Sequence, residues 1–438
     1  MSELAVLGGP RAITREPGDL FCWPIVTRED EEAVLDVLRR GAMSGTDVTV
    51  QFEEEFARWM GVKYALAYPS GTESIRAALW ACGIGAGDEV ISSSMVIWAG
   101  CSQALALGAA VHFADIDPST LCLDPKDVER RIGSNTRALV VVHYCGHPAE
   151  MDSLLAIARR HGLRVIEDVS HAHGALYRGR MCGTLGDVGA MSIMSAKGLA
   201  VGEGGMLVTD QRELYERAIA FGHYERTGVP IPYFQPTREW VTDPALRKFA
   251  GVPIGTYKHR MNQLCSALGR TQLRHYPGRM AEIQLAMNRF WDLLEGVPGI
   301  RAHRPPRNSG STMGAWYYPA GLYRAEELDG LPIGRFCEAV RAEGFPECQP
   351  GRNAPLHPHP MFHEADIFRQ GKPTMIAFGQ RDVRQGAGTL PVCESVGQTV
   401  FSVPWFKHDR PEFIAEYAEA FRKVASHATR LREVARPA

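Results

Sequence analysis

Residues 136–174 read TRALVVVHYCGHPAEMDSLLAIARRHGLRVIEDVSHAHG, and this stretch decides the fold. It opens on an almost unbroken apolar run, 136–144, which reads as a strand buried on both faces. AEMDSLLAIARRHG (149–162) then places apolar residues at helical spacing and closes on a glycine. LRVIED (163–168) is a second strand. A strand, a helix and a strand in succession form a crossover unit whose two strands pair in parallel.

The alternation extends both ways. Helical patterns fall at 49–61, 72–83, 102–109 and in LDPKDVERRIG (123–133), and strands at 63–68, 88–94, 110–117, 188–194 and 205–210. The expected class is α/β, a mostly parallel sheet sandwiched by helices, with ligands beyond the carboxyl ends of the strands. Residues 211–260 are less regular. A long helical pattern at 261–296 is expected to break near Pro277. The rest reads as a smaller C-terminal α/β domain. It contains a Pro/His/Gly-rich stretch, 346–390, read as an active-site loop or a flexible insert. The expected division is an N-terminal segment (1–45), a large domain (46–260), and a linking helix with the small domain (261–438).

The 438 residues are 45% hydrophobic and 22% charged, with a net charge of -2. That balance gives no general electrostatic attraction to nucleic acid or anionic membrane. No apolar run approaches the roughly 18–20 residues needed to span a bilayer. The N-terminus lacks the basic and apolar segments of a secretory signal. Ten scattered cysteines, none in a CxxC pair, read as reduced thiols of a cytoplasmic protein.

Three elements could carry chemistry. At Ser70-Gly71-Thr72-Glu73 a strand ends and a helix begins. Backbone N–H groups at such a start can hold a phosphate, or the serine or threonine can simply cap the helix. Asp168 ends an apolar strand, where it could pair with a protonated ring nitrogen or cap the next helix. Lys197 comes after another strand, within MSIMSAKGLAVGEGGM (191–206). In an apolar site its amine loses charge and becomes a nucleophile and proton carrier. The alternative is a lysine that snorkels to solvent. Gly198 and the GEGG turn (202–205) would let the backbone approach a ligand. Phosphate cradle, carboxylate and amine together suit pyridoxal 5'-phosphate (PLP).

Asp168-x-x-His171, Ser192-x-x-x-x-Lys197 and Gly202-Glu203-Gly204-Gly205 resemble the DegT/StrS family of aminotransferases, fold-type I PLP enzymes acting on keto-sugars and cyclitols. VHYCGHPAEMD (142–152), PLHPHPMF (355–362) and LPVCESV (390–396) extend the resemblance along nearly the whole chain. The resemblance implies that Gly71, Thr72 and Glu73 contact the phosphate through backbone N–H groups and that Ser192 adds its hydroxyl. Asp168 would meet the pyridine nitrogen, His171 would approach the ring hydroxyl, and Lys197 would hold the aldehyde. In the family, the loop carrying Lys258 reaches into the neighbouring subunit, so a homodimer with active sites at the interface is implied.

There are three departures from the family pattern. The usual aromatic cover of the pyridine aligns with Ile97, with Trp98 beside it as a substitute. Met194 stands where relatives often have His or Gln. Lys258 stands where many have a phosphate-binding Asn. Tyr144, His357 and His359 are read as substrate contacts. A metal cluster of His357, His359 and His363 is the poorer reading, and no metal is expected.

The implied reaction moves an amino group from an amino acid, glutamine or glutamate, to a keto-cyclitol or keto-sugar in aminocyclitol or other specialised-metabolite biosynthesis. Tyr257-Lys258-His259-Arg260, PLHPHPMF and the long C-terminal region resemble the glutamine:scyllo-inosose branch. The rival readings are a nucleotide-sugar aminotransferase and a PLP dehydratase or aromatic-forming synthase on the same fold.

Overall fold

A computed structural model describes residues 3–228 and 240–434. Part of the irregular 211–260 region, residues 229–239, therefore lies outside the described residues. The main sheet has seven strands: β1 (Tyr64–Tyr68), β2 (Glu89–Ser93), β3 (Ala110–Ala114), β4 (Thr136–Val142), β5 (Arg164–Asp168), β6 (Val188–Ser192) and β7 (Gly205–Thr209). Their order is β1-β7-β6-β5-β4-β2-β3. β7 runs antiparallel to both neighbours, and the other pairs are parallel. The fold class expected from the sequence is the one observed.

The deciding stretch folds as read, with shorter strands. β4 stops at Val142, and Tyr144–Gly146 forms a turn in which Cys145 takes a left-handed φ of 54°. The strands expected to reach 117 and 194 stop at Ala114 and Ser192. Each strand gives way at the sheet's carboxyl edge, where side chains leave the ladder to form a site. Val140, Val141 and Val142 are buried because helices cover both faces.

The helices that position the site are α1 (Arg28–Arg39), α2 (Asp47–Met60), α3 (Gly71–Ala81), α4 (Met151–His161), α5 (Arg212–Gly222) and α6 (Gln263–Leu293). In α4, Met151, Leu154, Ile157 and Ala158 form the buried stripe, and Gly162 ends the helix at φ 65°.

α6 departs from expectation, because its 31 residues run unbroken with Pro277 inside. The proline deletes one backbone hydrogen bond, yet packing fixes both halves. On one side Tyr276 meets Trp59 at 5.4 Å, and on the other Phe290 meets Phe406 at 5.5 Å. Contacts spread along a helix override one poor propensity.

A second, antiparallel sheet comprises β8 (Ile300–Ala302), β9 (Ala320–Tyr323) and β10 (Val400–Ser402). Helices α7 (Ile333–Ala342) and α8 (Pro411–Ser426) cover it through Phe336, Phe401 and Phe421, with ring centroids 5.5 and 5.8 Å apart.

Residues 346–390 do something neither sequence reading foresaw. They strap the main sheet along its β3 edge. Gln385 Oε1 accepts from Phe113 N–H at 2.8 Å, and its Nε2 donates to Phe113 O at 2.9 Å, as a further strand would. Arg381 Nε donates to Glu89 at 2.8 Å, and Leu356 N–H donates to Ser94 O at 3.0 Å.

Candidate active site

The register gathers the site at the carboxyl edge of β1, β5 and β6. Gly205 pairs with both Tyr68 and Ser192, and Asp168 pairs with Ala190 two residues short of Ser192. α3 starts directly beyond β1, with Ser70 as its cap: the Ser70 hydroxyl accepts from Glu73 N–H at 3.3 Å. The cap leaves Gly71 and Thr72 N–H without intrahelical acceptors, as at any helix start.

A side chain on Gly71 would begin 2.5 Å from Ser192 Cβ, so only glycine brings these N–H groups against Ser192. Ser170, missed in the sequence, holds that strand end: its hydroxyl accepts from Ser192 N–H at 2.9 Å. The cap is the reading observed, and it leaves the first N–H groups of α3 beside Ser192 available to an anion.

The glycines behind Lys197 serve the protein itself. A Cβ on Gly205 would stand 2.2 Å from Ser70 O, and one on Gly198 would stand 2.9 Å from Ala315 Cβ. What the structure shows for Gly198 and Gly205 is close approach between chain segments. Gly202, at φ 97°, supplies the turn itself.

Lys197 does not snorkel. It is 8% exposed, and its Nζ stands 4.2 Å from the centroid of the Tyr317 ring. Burial pushes its pKa down to about 8, and the Asp168 carboxylate partly opposes that. The Trp23 indole donates to Lys197 O at 2.8 Å and fixes the main chain. Asp168 is buried. Its Oδ1 accepts from Ser170 N–H at 2.9 Å, and its Oδ2 lies 3.1 Å from where a Gly100 side chain would begin.

His171 is buried beside Tyr317 and Tyr144, at centroid distances of 4.7 and 5.4 Å. Its Nδ1 accepts from Cys145 N–H at 3.3 Å, which leaves the proton on Nε2. Burial, reinforced by Lys197, holds its pKa well below the usual range, so the ring is neutral. His173 donates through Nε2 to Ser192 O at 2.9 Å, and burial lowers its pKa to about 3.

The other candidates scatter. The Glu73 carboxylate turns to Arg76 and His259, at 3.1 and 3.0 Å, and its N–H is engaged by the Ser70 hydroxyl. Trp98 and Ile97 are 54% and 44% exposed, on the turn that precedes Gly100. Lys258 is exposed. Tyr144 donates to Asn353 Oδ1 at 2.5 Å. His357 is buried with both ring nitrogens engaged, by Ser94 and Glu394 at 2.9 Å each. His359 is exposed, and its Nδ1 accepts from Met361 N–H at 3.1 Å. Among the described residues no group of three His, Cys, Asp or Glu side chains is placed to hold a metal ion.

Tyr317, Trp23 and Gly100 escaped the sequence reading. The aromatic run Trp316-Tyr317-Tyr318 was the available signal for the first. Left-handed φ values of 56° and 58° at Trp316 and Tyr318 bracket it, a strained conformation of the sort found at functional sites.

These residues fit PLP. Gly71 and Thr72 N–H with the Ser192 hydroxyl suit a phosphate, Asp168 suits a protonated ring nitrogen, and Lys197 offers a buried amine for an aldehyde.

Residues 24–372 match the DegT/DnrJ/EryC1/StrS aminotransferase family. The chain is 34% identical to the L-glutamine:scyllo-inosose aminotransferase of Streptomyces griseus over 450 residues, covering 99% of this chain and 100% of the relative. It is also 34% identical to the L-glutamine:2-deoxy-scyllo-inosose aminotransferase of Streptoalloteichus tenebrarius over 433 residues, 94% of this chain and 95% of the relative. The solved aminotransferase from Psychrobacter cryohalolentis superposes with a TM-score of 0.77 at 27% identity, covering 94% of this chain and 100% of that one. The chain belongs to the DegT/DnrJ/EryC1/StrS aminotransferase family, whose enzymes work with PLP.

Proposed function

We propose that this enzyme transfers the amino group of L-glutamine to a keto-cyclitol of the inosose type. The observation that carries the mechanism is the buried Lys197 amine beside Asp168. The inosose acceptor is supported by the two full-length relatives that bear that activity.

PLP, when bound, supplies the electron sink that lets the donor's α-proton leave. The chain supplies the rest. Gly71 and Thr72 N–H and Ser192 Oγ hold the phosphate. Asp168 keeps the ring nitrogen protonated, and the neutral His171 offers its Nε2–H to the ring hydroxyl. Lys197, its pKa lowered by burial to about 8, would hold the aldehyde and, once displaced by the donor, could take up and return a proton at its Nζ as general base and acid. Tyr317 walls the amine from water. A retained lysine favours amino transfer over dehydration.

The same reading makes Trp98 or Ile97 the cover of the ring and brings the partner subunit's Lys258 to the phosphate of a homodimer. Ten free cysteines fit a reducing cytoplasm, and among the described residues no helix is long and apolar enough to cross a membrane.

The test is absorbance of the purified protein loaded with PLP. A visible band should form, collapse on adding L-glutamine, and be absent in Lys197→Ala. A wild type that takes up no PLP overturns the proposal. Acceptor screening with glutamine fixed should find inososes, and turnover of nucleotide sugars alone would replace the cyclitol with the rival acceptor.

A further inference from the structure

A second lysine is buried against the Trp23 indole that holds Lys197. Lys407 is 3% exposed, its Nζ lying over the Trp405 ring and 5.5 Å from the Trp23 ring centroid. Both walls are fixed, since Trp23 donates to Lys197 O and Trp405 to Ala315 O, each at 2.8 Å. Burial pushes the Lys407 pKa down to about 5, and among the described residues no carboxylate offsets it.

Lys407 lines a cavity of about 530 Å³ together with Arg352, Tyr317, Tyr318 and Trp405. That volume lies in the range of small-molecule sites, roughly 300–1,000 Å³. Tyr317 is the ring beneath Lys197, so the cavity adjoins the reactive amine. Arg352 stacks over Tyr318 at 4.5 Å and spends one amino group on Pro319 O and Phe401 O. Its Nε is buried with no partner among the described residues. Among those residues the one acid at the cavity is Glu347, exposed at its rim.

Without a counter-charge burial holds the Lys407 amine uncharged, and a ligand that brings the missing anion favours its protonated form. Of the two substrates, the keto-cyclitol is neutral, whereas the amino acid carries a carboxylate. We propose that Lys407 and Arg352 form the carboxylate subsite of the amino donor. The inference rests on the aminotransferase reading above, and it makes this end of the cavity a selector of amino acids over neutral amines.

The experiment uses PLP-loaded wild type, Lys407→Met and Lys407→Arg, each checked by thermal melting. Donors are L-glutamine and its neutral α-amide, followed by the cofactor's absorbance in single turnovers. Lys407→Met should raise half-saturation for L-glutamine by roughly ten- to hundredfold and leave the α-amide unchanged. Lys407→Arg should restore most of the loss, and the acceptor's KM should not move. Calorimetric titration with glutarate should show binding to wild type that Lys407→Met loses.

Equal losses for both donors, an unchanged half-saturation for glutamine, or a shift confined to the acceptor's KM would overturn the subsite. A wild type that reacts with no amino acid sinks the aminotransferase reading instead. The glutarate arm then still decides, since binding that depends on Lys407 upholds a carboxylate site and unaltered binding removes it.

Discussion

The Nζ of Lys197 stands 4.2 Å from the centroid of the Tyr317 ring, so the reactive amine rests on an aromatic face. The ring attracts the charged form, but its bulk also excludes the water that would solvate it, and burial dominates. With its folded pKa near 8 and its unfolded value at 10.5, the amine binds fewer protons in the native state between those limits. Lys197 therefore destabilises the PLP-free protein fully below about pH 8, and the penalty fades as pH rises toward 10.5. Lys197→Met without PLP should melt above wild type at pH 7, and the gap should close across that window. A gap independent of pH would remove the buried-cation account.

Gly71→Ala tests the cradle. The new Cβ would meet Ser192 Cβ at 2.5 Å, so strand end and helix start must separate. Overpacking of this sort costs about 1–3 kcal/mol. PLP affinity should fall more than stability does, because the N–H groups that separate from Ser192 are the phosphate donors. Equilibrium dialysis against PLP, with melting as control, measures both.

Lys258 is exposed within its own chain. If it serves the neighbouring site, Lys258→Ala should weaken PLP binding by roughly tenfold, the size of one lost charge-assisted contact. At a PLP concentration that leaves the Lys258→Ala parent mostly unloaded, mixed dimers of Lys197→Ala with Lys258→Ala chains should then recover activity, since one of their two sites is intact. Failure of purified mixed dimers to recover would place Lys258 outside the site.

Pro277→Ala adds a hydrogen bond to a helix already continuous across that position. The expected gain is about 1–3 kcal/mol of stability with unchanged kcat, read by denaturant unfolding and steady-state assay. A loss of stability would show that the helix is shaped around the proline.

That helix also marks where sequence and structure part. Strand–helix alternation is local, and so is the spacing of apolar residues, which is why the parallel sheet, the placement of Asp168 and Ser192 at strand ends and that of Lys197 in the turn beyond were legible. The unbroken α6 was not, because the contacts of Tyr276 with Trp59 and Phe290 with Phe406 join residues far apart in the chain. Tyr317, Trp23 and Lys407 were missed for the same reason. Nothing periodic links residues 23, 197, 317 and 407, and only the folded chain sets Tyr317 against the Lys197 amine, Trp23 on the Lys197 carbonyl and Lys407 on the Trp23 ring. His357 misled through its motif: two polar partners bury the ring, whereas its sequence context suggested a loop open to substrate.

Gln385 closes the open side of the main sheet as if it were a strand, and Arg381 and Leu356 rivet the same segment to Glu89 and Ser94. Gly351 and Arg352 lie a few residues upstream of Leu356, so the cavity wall proposed to meet the donor's carboxylate hangs from the sheet's scaffolding. Such a wall cannot swing as a hinged lid. Selectivity is then adjusted one side chain at a time, at cavity positions such as Tyr318 and Arg352. Shortening or lengthening the strap would instead bare the Phe113 backbone and trade selectivity for aggregation.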